Sequence, residues 1–280
     1  MLDLLIIGSG PAGMTAALYS ARAGLSVEVI EKSSYGGALT EISHLANFPG
    51  YDGGKGADLA DILRSQVIAA GAKISFGACE SIKSSENALS VVIDSEPRLA
   101  RSVLVATGSE PIPLDFTPSA PVSYCALCDA PLYRGKSIAV IGGGNSAVGE
   151  SIHLSGIVSS LTLFSRSCLK ADAAFVSELK KKQNVKIIEN HTPSADDLSD
   201  FDGIFVFIGK RPATSFLDSS LLDENSYIKT ENYMTSLPGL FAAGDVRSGS
   251  VKQAITAAAD GAAASIAISA YLKSPQTSRH

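Results

Sequence analysis

At 280 residues the chain has room for about two domains, and its 45% apolar side chains suffice to fill their cores. A formal net charge of −5 is mild and argues against nucleic acid or an anionic membrane surface as a partner. Only four cysteines occur, nothing at the N-terminus reads as a signal peptide, and the longest apolar stretches fall short of the ~18–20 residues needed to cross a bilayer. A soluble, reducing, cytoplasmic setting is therefore expected.

Leu2–Ile7 is a continuous apolar run of the kind that forms a central parallel strand covered on both faces. Gly8-Ser9-Gly10-Pro11-Ala12-Gly13 follows, then a helical pattern from Met14 to about Ala23 and a second strand over Ser26–Ile30, closed by Glu31. Gly8 makes the tight turn, Gly10 admits a pyrophosphate, and Gly13 lets helix and strand pack closely. The helix N-terminus offers free N–H groups and partial positive charge to the phosphates. Glu31, 23 positions after Gly8, is placed to accept from ribose hydroxyls. A bare glycine turn would explain the glycines alone; strand, turn, helix, strand and terminal acid together predict dinucleotide binding.

Tyr35-Gly36-Gly37-Ala38-Leu39-Thr40 and Asn47-Phe48-Pro49-Gly50-Tyr51 read as loops. A helix is expected over Asp58–Ala70, with strands at Lys73–Phe76, Leu89–Ile93 and Val103–Ala106, the last ended by Thr107-Gly108. Pro111, Pro113, Pro118 and Pro121 crowd a segment unsuited to regular structure, which reads as a linker. Then comes Cys125-Ala126-Leu127-Cys128-Asp129. Two thiols at this spacing hold a metal, cycle between dithiol and disulfide, or sit idle.

Ser137–Ile141 is another apolar strand, and it leads into Gly142-Gly143-Gly144-Asn145-Ser146-Ala147, a helix to about Leu154 and a strand at Leu161–Phe164. Gly142 to Ser165 spans 23 positions, as Gly8 to Glu31 does, so the chain carries two dinucleotide folds offset by 134 positions. The copies differ where the ribose is read. Ser165 stands in place of Glu31 and Arg166 follows, so nothing repels a 2′-phosphate and a cation can pair with it. Copy two should prefer NADP(H), with Lys170 as a second contact. Beyond it lie strands at Val185–Ile188 and Gly203–Ile208, separated by polar Glu189–Asp202. Gly209-Lys210-Arg211-Pro212 reads as a second linker, Leu240–Ala243 as a strand running into Gly244-Asp245, alanine-rich Ser250–Leu272 as a helix, and Lys273–His280 as a frayed tail.

With these residues in view, the chain resembles the low-molecular-weight thioredoxin reductases over nearly its full length. GSGPAG, Glu31, GGALT, NFPG, ATG, CALCD, GGGNSA, IGKRP, AAGDV and KQAITAA occur in the family's order. The resemblance implies an α/β fold of two Rossmann-like (three-layer ββα) dinucleotide-binding domains, the second inserted into the first. Residues 1–110 and 213–280 would bind FAD, and residues 111–212 would bind NADPH and carry the redox pair. It implies FAD contacts from Gly8–Gly13, Glu31, Gly36–Thr40, Asn47, Thr107-Gly108, Gly244, Asp245 at the ribityl chain, and Lys252, Gln253 and Ala254. Gly142, Gly144, Asn145, Ser146, Ala147, Arg166 and Lys170 would contact NADPH. It also implies that Cys125 attacks thioredoxin, Cys128 exchanges electrons with FAD, and Asp129 protonates a leaving thiolate. A homodimer is typical of the family. Two hinges, near Ser109–Pro113 and Gly209–Pro212, would let the inserted domain rotate.

A zinc site would need two further ligands, yet Cys79 and Cys168 lack partners in C-x-x-C spacing and the four histidines are scattered, so no metal is expected and these two cysteines read as buried thiols. NADPH-using members carry His-Arg-Arg with another arginine soon after; here the stretch is Ser165-Arg166-Ser167-Cys168-Leu169-Lys170, and the middle domain is short. Lys252 stands where arginine is usual. These departures bear on the electron donor, so the alternative to NADPH is a ferredoxin-fed enzyme or a dithiol oxidase using oxygen. A non-enzymatic redox sensor is a third reading, disfavoured by the intact CALCD.

Overall fold

The computed structural model describes residues 1–42 and 44–274. In chain order the strands and α-helices are β1 (Leu2–Ile7), α1 (Pro11–Arg22), β2 (Val27–Glu31), α2 (Gly56–Ala69), β3 (Lys73–Phe76), β4 (Cys79–Ser85), β5 (Ala88–Ile93), β6 (Glu96–Val105), β7 (Ser109–Pro111), β8 (Val122–Ser123), α3 (Ala126–Asp129), β9 (Ser137–Ile141), α4 (Asn145–Ser155), β10 (Ser160–Ser165), α5 (Ala173–Leu179), β11 (Val185–Glu189), β12 (Gly203–Val206), β13 (Lys210–Pro212), β14 (Leu240–Ala242) and α6 (Ala254–Lys273). They divide into two compact units, Met1–Ser109 with Pro212–His280, and Glu110–Arg211 inserted between them.

In the first unit β3, β2, β1, β6 and β14 run parallel in that order, and β4 and β5 join as an antiparallel extension of β6. Leu4, Leu5 and Ile6 are fully buried, because helices cover one sheet face and the β4–β6 layer the other. Burial of each such side chain contributes about 1.5–3 kcal/mol. On the helical side, α1 lies against α6 so closely that a Cβ on Gly261 would stand 2.1 Å from the carbonyl oxygen of Ala12. Ser20 and Ser265 share a buried hydrogen bond at 2.9 Å across the same contact.

The second unit repeats the plan. Its parallel sheet runs β11-β10-β9-β12-β8, with Ile138, Ala139 and Val140 fully buried in the central strand. Each glycine loop therefore leaves the carboxyl end of a central strand, β1 or β9, which is where open α/β sheets bind ligands. The α/β, Rossmann-like reading holds in both units.

Several boundaries differ from the sequence expectations for local reasons. Helix α6 starts at Ala254, not Ser250, because Gln253 caps it in a reciprocal box with Thr256. At 20 residues and high hydropathy α6 is long and apolar enough to cross a membrane, contrary to the expectation that no stretch is; here one face of it packs on α1 through Ala257, Ala258, Gly261, Ala264 and Ser265. Strand β4 and helix α5 were not anticipated, β4 because it is mostly polar, with only Cys79 and Ile82 apolar, and α5 because it is barely two turns. Lys210–Pro212, expected as bare linker, is extended as β13. Lys273 closes α6, and the rest of the expected tail, 275–280, lies outside the described residues.

Substituting Gly261→Ala should cost roughly 2 kcal/mol and lower the melting temperature by roughly 4–8 °C, since backbone must yield to the new methyl. Gly149→Ala in α4, where a Cβ meets nothing within 4 Å, should leave the melting temperature unchanged or raised. Differential scanning calorimetry of both variants checks the contrast.

Candidate active site

The first glycine loop is built by close contact. A Cβ on Gly8, whose φ is +102°, would meet the carbonyl oxygen of Ala106 at 2.5 Å, and one on Gly13 would meet that of Gly8 at 1.9 Å. Gly10, the residue before α1, faces open space instead, and no side chain caps the helix. Pro11 has no N–H, so the backbone N–H groups of Gly10, Ala12 and Gly13 are the ones at this helix start that need partners, and the end is suited to phosphate oxygens. Glu31 closes β2 and turns its carboxylate onto the loop, where Oε2 accepts from the Ser9 N–H at 3.0 Å and the Ser9 hydroxyl at 2.6 Å. Gly36 donates to the Ser9 carbonyl at 3.1 Å, and Gly37 approaches the Gly10 backbone, so the Gly36–Thr40 turn lies beside the same loop.

The chain's last segment reaches this cradle too. A Cβ on Gly244, φ +77°, would stand 2.9 Å from Cβ of Ala12. The Gly244 N–H donates to Asp260 at 3.1 Å, and Arg247 grips that carboxylate with Nε at 3.2 Å and Nη2 at 3.0 Å. Tyr233 donates to the same carboxylate at 3.4 Å. Asn47 donates to Oε1 of Gln253 at 3.2 Å, joining the second loop to the start of α6. Lys252 meets the Tyr227 hydroxyl and lies over its ring. Thr107 instead spends its hydroxyl on the Ala213 carbonyl at 2.8 Å. The Ser250 hydroxyl, between Asp245 and α6, is a buried oxygen with no hydrogen-bond partner among the described residues. An open helix start, a carboxylate at the ribose position and a buried orphan hydroxyl together fit an adenine dinucleotide.

The second loop is built alike at its first two glycines, with Ala147 where the first loop has Gly13. A Cβ on Gly142 would strike the Phe207 carbonyl oxygen at 2.4 Å, while Gly144 faces open space. However, residues 166–172 fold back over the loop. The Lys170 N–H donates to Gly143 at 2.8 Å, and Asp172 exchanges bonds with the first residue of α4, its N–H to Asn145 Oδ1 at 2.7 Å and its Oδ2 from Asn145 Nδ2 at 3.1 Å. Ser165 is buried against Gly143; Arg166 and Lys170 are exposed. Glu189, aligned with Ser165 in the next strand, accepts from the Leu169 N–H at 2.6 Å. Sequence reasoning missed Asp172 and Glu189. An acid closing the third strand of the copy was a usable signal for Glu189; nothing in the spacing pointed to Asp172.

Cys125 and Cys128 are joined in a disulfide with Cα atoms 5.4 Å apart. Cys125 caps α3, its sulfur accepting from the Cys128 N–H at 3.2 Å, and it is half-buried whereas Cys128 is exposed. Asp129 accepts from the Ser123 hydroxyl at 2.7 Å. Four positions after Cys128, Leu132 is a large apolar side chain left 67% exposed. Among the described residues no three His, Cys, Asp or Glu side chains are grouped to hold a metal. The other cysteines need a correction. Cys168 is exposed, because the loop after β10 lies on the surface, and Cys79 is only partly covered at the start of β4. Burial still pushes the Cys79 thiol up to about 12, with nearby Glu80 adding to the effect.

A disulfide mounted on one of two nucleotide folds defines the class of nucleotide-linked disulfide oxidoreductases. A family model described as pyridine nucleotide-disulphide oxidoreductase matches residues 2–261. The chain is 37% identical to the 34.2 kDa protein in rubredoxin operon of Clostridium pasteurianum, over 97% of each chain. It is 34% identical to the thioredoxin reductase of Listeria innocua, over 92% of this chain and 90% of that one. Among solved structures it matches thioredoxin reductase of Lactococcus lactis with a TM-score of 0.84 at 30% identity, over 97% and 99% of the two chains. The chain belongs to the pyridine nucleotide-disulphide oxidoreductase family, on its low-molecular-weight thioredoxin reductase branch.

Iodoacetamide on the native, oxidised protein should label Cys168 fast and Cys79 slowly, since only the thiolate reacts. Mass spectrometry of the peptides reads the ratio. The folded Cys79 pKa lies above its unfolded value of about 8.5, so between the two the unfolded chain binds fewer protons and stability should fall as pH rises from about 8.5 toward 12.

Proposed function

We propose that the protein is an FAD-dependent disulfide reductase that takes electrons from NADPH and passes them through Cys125 and Cys128 to the disulfide of a thioredoxin-like protein. The observation that carries this reading is the closed Cys125–Cys128 pair with Cys128 exposed and Asp129 next in the chain. Bound FAD supplies two-electron chemistry, accepting a hydride and returning electrons to a disulfide. Gly10–Gly13 at the start of α1 would hold its pyrophosphate, Glu31 its adenosine ribose, and Asp245 its ribityl chain. Gly36–Thr40, Asn47, Thr107-Gly108, Gly244 and Lys252–Ala254 would form the rest of the cradle. We further propose a cytoplasmic homodimer.

In the reduced protein the Cys125 thiolate attacks the partner disulfide and forms a mixed disulfide. The single N–H of Cys128 aimed at the Cys125 sulfur favours the thiolate there. Cys128, giving its proton to Asp129, then attacks the Cys125 sulfur. The internal disulfide reforms, and the departing partner thiolate takes the proton from Asp129. Exposed Leu132, four positions after Cys128 in the chain, would offer a partner protein an apolar foothold.

A second reading concerns the donor alone. Asp172 brings a carboxylate to the start of α4, where a nucleotide pyrophosphate would lie, and Glu189 brings another beside the ribose position. Both would repel phosphate groups, which supports ferredoxin, or a dithiol oxidase reaction with oxygen, in place of NADPH.

Anaerobic stopped-flow mixing of the holoprotein with NADPH should bleach the flavin. Silence at millimolar NADPH, with rapid bleaching by reduced ferredoxin or a dithiol, would replace NADPH by the second reading. If the two carboxylates set the barrier, Asp172→Ala with Glu189→Arg should speed bleaching by NADPH by about tenfold or more, equivalent to about 1.4 kcal/mol. Cys128→Ser should abolish turnover with a protein disulfide; unchanged turnover would remove the pair from the mechanism.

A further inference from the structure

Ser123 ends β8, two positions before Cys125 and six before Asp129, and only 4% of it is exposed. Its hydroxyl has a single proton and three polar neighbours: Asp129 Oδ2 at 2.7 Å, the Cys125 carbonyl at 3.2 Å and the Cys125 N–H at 3.2 Å. The proton goes to the carboxylate, since that bond is shorter and charge-assisted. A lone pair is then left to accept from the Cys125 N–H. One buried oxygen thus ties the backbone of the attacking cysteine to the acid four residues further on.

We propose that Ser123 is a positioning residue of the exchange reaction, pinning Asp129 Oδ2 so that Oδ1 is the oxygen that carries the proton. This rests on the reading of Asp129 as the acid. In the resolving step the Cys128 thiol gives its proton to Oδ1 and its thiolate attacks the Cys125 sulfur of the mixed disulfide. The bond between Cys125 and the partner breaks, the Cys125–Cys128 bond forms, and the electron pair leaves with the partner's sulfur. That thiolate takes the proton back from Oδ1, so proton and electrons balance. Throughout, the Ser123 hydroxyl donates to Oδ2, which remains an acceptor whether or not Oδ1 is protonated. Without that bond the carboxyl group can rotate and present either oxygen, or neither, to the sulfurs.

The leaving thiol separates this role from a merely structural one, because a thiol of low pKa departs without help from an acid. The holoprotein is reduced with excess dithiothreitol, desalted anaerobically, and mixed with either hydroxyethyl disulfide, whose alkyl thiolate needs a proton, or dithiodipyridine, whose aryl thiolate does not. Disulfide closure is followed by the loss of enzyme thiols. Ser123→Ala should slow closure about tenfold with the alkyl disulfide, the scale of one hydrogen bond to a charged group, and leave the aryl reaction within about twofold. Ser123→Thr should restore the alkyl rate, and Asp129→Asn should show the same split more strongly. If Asp129→Asn splits the two substrates while Ser123→Ala slows both alike or neither, the assignment of Ser123 is wrong. If Asp129→Asn itself shows no split, the acid reading falls and takes the proposal with it. Should Ser123→Ala fail to melt cooperatively, Ser123→Gly, which also lacks the hydroxyl, carries the comparison.

Discussion

A backbone contact that only glycine permits is the constraint on which both nucleotide folds depend. Helix α1 can start beside β1 because Gly13 brings it against the carbonyl of Gly8, and Gly8 in turn lies against Ala106 at the end of β6. Close packing brings the uncapped start of the helix to the carboxyl edge of the sheet. There the free N–H groups and partial charge of the helix face open space at Gly10. Behind β9, Gly142 and Gly144 repeat the tight turn and the open position, with Ala147 standing where the first copy has Gly13. Each site is thus a by-product of how tightly a helix can be laid on a strand.

What distinguishes the two copies is electrostatic and lies in the loops. In the first, the carboxylate at the end of β2 turns inward to the glycine loop and leaves the helix start open. In the second, the equivalent position is a buried serine, and carboxylates arrive from elsewhere, Asp172 at the start of α4 and Glu189 from the neighbouring strand. Coulomb repulsion between a carboxylate and a phosphate acts over several ångströms, so acids that are remote in sequence still bear on which ligand enters. The disulfide shows the same economy of means on a smaller scale. Cys125 caps a four-residue helix, and one buried hydroxyl joins its backbone to the carboxylate of Asp129.

Much of this was legible in the order of residues. Ser137–Ile141 matches β9 and Lys73–Phe76 matches β3 end to end, because a short apolar run in the first and a strict polar–apolar alternation in the second are both strand patterns. The glycine loops were legible because their chemistry is backbone chemistry, which spacing alone specifies. Less visible was β4, a mostly polar strand whose only apolar side chains are Cys79 and Ile82. The membrane-length hydropathy of α6 was misjudged because Thr256, Asp260, Gly261, Ser265 and Ser269 interrupt the apolar run, although the average stays high. The buried Cys168 was expected from residue type, and position on a surface loop overruled it.

By itself the sequence determined the two glycine loops and the cysteine pair, since each is specified by residues adjacent in the chain. Tertiary structure alone decided which distant groups meet. Asp260 reaches the Gly244 turn from the middle of α6, Asn47 meets Gln253 across 206 positions, and Asp172 bonds the first residue of a helix 27 positions earlier. The reason is physical. Local spacing fixes backbone shape through few torsions, whereas a hydrogen bond between remote side chains exists only once the core has packed and set both ends within about 3 Å.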